Sequence, residues 1–180
     1  MRPAEFSTSV LEQALTLWRF YEKGLDVTSV EISPKAVEVM RHRGVPNPIV
    51  GDVFDSRPAP LDTVMVILNI RIVRNLAGLV MFLKHLRNLL TDSGRLITDS
   101  IDPRDSLDES YRRYAEAKVA KGCYLGERTV RFEYKGQMSD WFEWMHIDPL
   151  TLEQYADEAG YSMKHLENDG KRYLVSIAKR

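Results

Sequence analysis

Leu25-Asp26-Val27-Thr28-Ser29-Val30-Glu31-Ile32-Ser33-Pro34, followed by Pro48-Ile49-Val50-Gly51-Asp52-Val53, decides how this 180-residue chain is read. The first run is weakly alternating, rich in Val, Thr and Ile, and ends in an acid, as a strand does. Ser33 then offers an N-cap and Pro34 the first helical position. The helix runs through Arg43 with Val37 and Met40 inward. The second run is another strand ending in an acid. Strand, crossover helix and strand make a βαβ unit, with Glu31 and Asp52 at strand ends, where open α/β sheets hold nucleotide-like ligands. Such a fold also predicts a glycine-rich turn roughly 20 residues before Glu31. Ser7-Thr8-Ser9-Val10-Leu11-Glu12-Gln13-Ala14 stands there instead, without a glycine. Half of a ligand site is legible and the other half is not.

Outward from this stretch the composition sets bounds. Apolar residues make up 44% of the chain and charged residues 28%, which places it among globular domains rather than disordered chains. A single domain over residues 1–180 is the expectation. Formal net charge is −1, so no global field recruits nucleic acid or an acidic membrane. One cysteine, Cys123, excludes an internal disulfide and suits a reducing, cytoplasmic setting. The apolar run Val64–Leu68 is too short to cross a bilayer, and Met1–Phe6 lacks a signal-peptide pattern.

Val10–Lys23 has helical apolar spacing and ends at Gly24. Thr63–Leu68 reads as a central parallel strand covered on both faces. Asn75 caps a helix whose stripe Leu76, Leu79, Leu83, Leu86, Leu90 marks one buried face. Thr91–Gly94 reads as a turn and Arg95–Asp99 as the next strand. This order predicts a Rossmann-like α/β fold: a mostly parallel sheet with helices on both faces, its first strand degenerate or absent. Asp108–Lys121 reads as a helix closed by Gly122, Arg128–Tyr134 as a half-exposed strand, and Trp141–Ile147 as its hairpin partner. Asp148-Pro149 opens a helix ending at Gly160. Tyr161–Leu166 and Tyr173–Ala178 form an antiparallel C-terminal hairpin turning at Asn168-Asp169-Gly170.

Asp26–Pro34, Gly51-Asp52-Val53-Phe54, Leu90–Ile97 and the stretch from Trp141-Phe142-Glu143-Trp144 to Asp148-Pro149 stand in the order in which they occur in one family. Together they resemble the class I S-adenosylmethionine-dependent methyltransferases, specifically a bacterial small-molecule branch, from about Leu17 to the C-terminus. The resemblance implies S-adenosyl-L-methionine as cofactor. Glu31 would accept the ribose hydroxyls, Ile32 would lie on the adenine face, and Asp52 would accept the adenine amino group. Val53 would supply a backbone N–H to the ring, and Asn69 would stand near the methionine end. The family's Gly-x-Gly-x-Gly turn has no counterpart here, and residues 1–24 form a degenerate N-terminal segment. Arg71 and Arg74 stand where relatives carry small residues, which suits an anion better than a sulfonium.

Candidate acceptor-side residues are Asp99 and Asp102 after the fifth strand, the aromatic group Tyr134, Trp141, Phe142 and Trp144, and His146 beside Asp148 as a general base. Residues 104–148 read as a substrate cap. No His/Cys/Asp spacing suggests a metal, and dispersed basic residues leave no nucleic-acid footprint. The expectation is methyl transfer to a small-molecule acceptor, with a homodimer following if an apolar strand edge is left open. The alternative is a catalytically inactive methyltransferase-fold pseudoenzyme serving as a protein-interaction or regulatory subunit.

Overall fold

The structure is a computed structural model that describes residues 19–45, 47–55, 60–66, 71–104, 109–170 and 172–180. The chain divides into two compact units, one within Met1–Arg57 and one within Pro58–Arg180. The expected first strand around Val10–Gln13 lies outside the described residues, as does the weakly marked connection expected around Ser56–Pro60, as far as Ala59. So does the helix expected from Val10, as far as Trp18. Residues 19–22 are helical, and Gly24 follows at φ +76°, the left-handed stop that glycine takes without penalty.

In the first unit, β1 (Ser29–Glu31) and β2 (Pro48–Val50) pair in parallel, with Glu31 opposite Val50. The strand expected over Leu25–Ile32 is thus shorter than its composition suggested, because ladder bonds begin only where Asn47 O accepts from Ser29 N–H. Between the strands runs α1 (Pro34–His42). Ser33 caps it as expected, its Oγ accepting from Ala36 N–H at 3.3 Å, and Pro34 occupies the first turn, where a missing N–H costs nothing. Val37 is fully buried.

The second unit holds a four-stranded sheet in the spatial order β3 (Leu61–Val66), β4 (Leu90–Ile101), β10 (Arg172–Lys179) and β9 (Tyr161–Asn168). β3 (Leu61–Val66) and β4 (Leu90–Ile101) are parallel, joined by α2 (Leu76–Leu89) in a second βαβ unit. Asn75 caps α2 by accepting from Gly78 N–H at 2.9 Å. Leu79, Phe82, Leu83, Leu86 and Leu89 form its buried stripe, matching the leucine spacing. β3 departs from expectation. Among the described residues it pairs only with β4, and its residues are half-buried or exposed rather than covered on both faces.

The Thr91–Gly94 turn is also corrected. β4 starts at Leu90 directly after the helix, and the turn residues are absorbed as an irregularity: Leu61 pairs with Leu90, but Thr63 pairs with Arg95. Gly94 is required there, since a Cβ would stand 2.7 Å from Leu61 O.

After β4 come α3 (Glu109–Val119), β5 (Glu127–Val130), β6 (Glu133–Tyr134), β7 (Gln137–Met138) and β8 (Phe142–Met145). The strand expected over Arg128–Tyr134 breaks into β5 and β6. β5 pairs antiparallel with β8, while β6 and β7 form a tight hairpin. Its turn residues Lys135 and Gly136 both have positive φ, as a two-residue hairpin of matching twist demands. α4 (Pro149–Glu158) then leads into β9 (Tyr161–Asn168) and β10 (Arg172–Lys179), the expected C-terminal hairpin. The core lies where α2 and α4 meet the sheet, through Leu83, Leu86, Leu96, Leu152, Val175 and Ile177. Tyr161 closes it, its hydroxyl donating to Leu83 O at 2.9 Å.

Candidate functional site

In the first unit, Glu31 and Asp52 follow the fold. Glu31 ends β1, half-buried, and its Oε1 accepts from Ser33 N–H at 2.9 Å. Its own carbonyl accepts from Gly51 N–H at 3.1 Å, bringing the chain just before Asp52 alongside it. Asp52 is half-buried as well. Its Oδ1 accepts from Phe54 N–H at 2.9 Å, and its carbonyl accepts from Asp55 N–H, which bends the chain sharply after β2. Two carboxylates are therefore fixed by local backbone bonds at the C-terminal ends of neighbouring parallel strands. Ile32 beside them is exposed, and Val53 is half-buried. Asn69 lies outside the described residues.

In the second unit, Asp99 sits inside β4 rather than after it. It is buried, with Arg172 Nε of β10 3.4 Å from Oδ2. Asp102, just beyond β4, takes the backbone N–H and the guanidinium of Arg104, and the side-chain bond dominates in holding its carboxyl below the usual range. Arg104 Nη2 is also 3.9 Å from Asp148 Oδ1.

Asp148 is the hub of this region. It caps α4 by accepting from Thr151 N–H and Thr151 Oγ1–H, and it accepts from the Tyr124 hydroxyl at 2.6 Å. Tyr124 accepts in return from Asp148 N–H at 2.9 Å. Burial alone would raise the Asp148 carboxyl, but the bonds from Thr151 and Tyr124 outweigh it and keep it depressed. Burial and the same carboxylate push the Tyr124 phenol up.

The residues before this hub are held as firmly. Ile147 N–H donates to Ser100 Oγ at 3.1 Å, and Ile147 O accepts from Tyr173 OH at 2.7 Å. Ser100 and Tyr173 face each other across β4 and β10, so one cross-strand pair grips both ends of that residue's backbone. His146 N–H donates to Gly126 O, and a Cβ on Gly126 would fall 1.7 Å from His146 O. His146 is thus buried at the end of a segment whose three consecutive N–H groups are all engaged.

The aromatic group differs in membership from the expectation. Phe132, Phe142, Trp144 and His146 form a row, with ring centroids 5.0 Å apart for Phe132–Phe142, 6.0 Å for Phe142–Trp144 and 6.2 Å for Trp144–His146. Tyr134 and Trp141 stand apart from it, 65% and 62% exposed, beneath Lys135 and Arg131 respectively. The break between β5 and β6 is the cause, since it carries Tyr134 out along the hairpin tip.

On the opposite face of the β5–β8 ribbon, Glu127 Oε1 accepts from Leu76 N–H at 3.1 Å, and Glu143 Oε2 accepts from Asn75 Nδ2 at 3.3 Å. α2 has no acid in its own first turn, so the ribbon supplies the negative charge its N-terminus favours. Sequence reading missed Tyr124, Arg104, Ser100, Tyr173, Phe132, Glu127 and Glu143 as site-forming residues. Asp99, Asp102, Trp144, His146 and the Asp148-Pro149 capping signal point at this region from sequence, but none of them indicates the partners it meets.

No protein-family model matches this chain, nor does any curated sequence. Solved structures do. An S-adenosylmethionine-dependent methyltransferase from Bacteroides fragilis, crystallised with S-adenosyl-L-homocysteine, is 28% identical with a TM-score of 0.75; the match covers 99% of this chain and 78% of that one. A methyltransferase of the same description from Methanosarcina mazei matches at 16% identity and TM-score 0.65, over 94% and 85% of the two chains. The sugar N-methyltransferase KedS8 from Streptoalloteichus matches at 16% identity and TM-score 0.60, over 86% and 71%. The chain has the class I S-adenosylmethionine-dependent methyltransferase fold.

Proposed function

We propose that this chain binds S-adenosyl-L-methionine and transfers its methyl group to a small molecule. The observation that carries this reading is the pair of carboxylates, Glu31 and Asp52, pinned at the ends of two parallel strands within one βαβ unit. They fit the nucleoside. An ionised carboxylate has about four lone-pair sites, so the Ser33 bond leaves Glu31 capacity for ribose hydroxyls. Asp52, a carboxylate at the end of the neighbouring strand, is the acceptor offered to an adenine amino group, while the exposed Ile32 offers an apolar surface to a flat ring. The homologous fold crystallised with S-adenosyl-L-homocysteine supports the same ligand.

When bound, the cofactor supplies an electrophilic methyl on a sulfonium. This chain's own work is then to hold the nucleoside through Glu31 and Asp52 and to hold an acceptor, for which Trp144 and His146 are the side chains offered. Asp99 and Asp102 are committed to Arg172 and Arg104 and act by positioning the end of β4. Rate enhancement would come from alignment of the reacting atoms more than from acid–base chemistry.

The second reading, a fold retained without turnover, is favoured by one observation: no glycine occurs in residues 1–23. Titration calorimetry with S-adenosyl-L-homocysteine separates the two. Binding by the natural chain that is lost in both Glu31→Ala and Asp52→Ala supports the proposed site. Binding untouched by either substitution overturns it. An absence of binding in a cooperatively folded chain favours the second reading.

A further inference from the structure

Every residue from Arg131 to Trp141 is exposed, and at the centre of this stretch β6 and β7 pair only with each other among the described residues. The ladder extends past the two strands, because Ser139 N–H donates to Phe132 O and Phe132 N–H donates to Ser139 Oγ, both at 2.9 Å. The stretch is therefore an ordered two-stranded arm. A lone hairpin is marginal in water, whereas three or more strands sharing apolar cover are not. Its outer edges are templates for a further strand.

The arm also leaves apolar surface in water. Tyr134, Met138 and Trp141 are 65%, 56% and 62% exposed, although Lys135 and Arg131 already lie over the two rings. Charge narrows what fits this surface. Arg131 and Lys135 are balanced by Glu133 and Asp140, and none of the four is in an ion pair among the described residues. An anionic lipid surface or a nucleic acid is attracted by the two cations and repelled by the two carboxylates. A second copy of the arm presents two charges of each sign, and a two-fold axis sets each patch against itself in reverse, so that opposite charges meet.

We propose that this arm is a self-association surface, and that its partner is the same arm of a second copy of this chain, paired antiparallel into a four-stranded sheet. Tyr134, Met138 and Trp141 together expose on the order of 400 Å² per copy. Two arms thus cover roughly 800 Å², less than the ~1,200 Å² at which stable interfaces begin. The dimer is accordingly weak and concentration-dependent.

Sedimentation equilibrium of the full chain from about 1 μM to about 1 mM tests this. A reversible monomer–dimer equilibrium is expected, weakened at least ten-fold by Trp141→Ser. Lys135→Glu and Glu133→Lys should each weaken it at least ten-fold as well, since each makes the arm repel its own copy. An equimolar mixture of those two variants should restore the dimer, because the two altered arms carry opposite net charge. Restoration also shows that both variants are folded, and the concentration series on the natural chain decides the matter if a variant is not.

A chain that stays monomeric throughout overturns the proposal. So does a dimer indifferent to the three substitutions, or a mixture that fails to restore it. Capture by phosphatidylcholine or phosphatidylserine vesicles that Trp141→Ser abolishes makes the occupant a lipid surface, and overturns it too. No cofactor enters these measurements, so their outcome is independent of the Glu31 and Asp52 titration.

Discussion

The two units put the same βαβ pattern to different physical use. In the second, β4 and β10 bury Leu96, Thr98, Val175 and Ile177 completely, and α2 and α4 close over them. In the first, β1 and β2 are three residues each, and Val30, Ile32, Ile49 and Val50 are all exposed. Among the described residues that unit buries only Val37, Val45 and Ser29, and turn chemistry adds the Ser33 cap, the Glu31–Ser33 bond and the Asp52 bend. A two-stranded element of this length is marginal on its own. The second unit is a scaffold whose stability comes from packing, while the first holds polar groups in place with little burial, which suits a region that a ligand would complete.

The sharpest break of that contrast is a core deletion. Leu96→Ala should cost about 3 kcal/mol, read as a fall in the melting temperature, whereas a small effect would mean the sheet core is loosely packed. Next comes Gly126→Ala, whose Cβ would collide with His146 O. Overpacking of this kind costs about 2–3 kcal/mol, and the same measurement should show it, together with altered Trp144 fluorescence.

Asp148→Ala removes the α4 cap and strands the Tyr124 hydroxyl, for an expected loss of about 2 kcal/mol. The pH dependence sharpens this. Folded-state depression of the Asp102 and Asp148 carboxyls means their stabilisation is present above the unfolded value of about 3.9 and lost as pH falls through the lower folded values. The gap in stability between the natural chain and Asp148→Ala should therefore be constant from neutral pH to about 5 and shrink in stronger acid. A gap that widens with acid would contradict the assignment. The smallest effect is expected in the first unit, where Val50→Ala should change stability by less than about 0.5 kcal/mol.

Local signals made much of this fold legible. Ser33-Pro34, Asn75 and Asp148-Pro149 announced three helix starts because a cap is chemistry between residues two or three apart. The leucine spacing announced the buried stripe of α2, and Glu31 and Asp52 were visible because they end strands. What stayed hidden depends on register and distance. Nothing near Tyr124 indicates that it meets Asp148, and nothing near Ser100 indicates that it will grip Ile147 with Tyr173. The aromatic row was misassigned because alternation over Arg128–Tyr134 looks continuous, while the ladder ends at Val130 and hands Phe132, not Tyr134, to the row. Thr91–Gly94 reads as a turn by composition, yet continues a strand as an irregularity facing Leu61.

The most direct test of the account is amide hydrogen exchange with and without saturating S-adenosyl-L-homocysteine. Exchange is expected to slow in the segments around Glu31–Ser33 and Gly51–Phe54, an effect abolished by Glu31→Ala, with β4 and β10 already protected and unchanged. Saturation at a hundred times the dissociation constant corresponds to ~2.7 kcal/mol, ample for protection to be seen. Unchanged exchange in those two segments, in a chain whose β4 and β10 remain protected, would contradict the assignment of the nucleoside site to them.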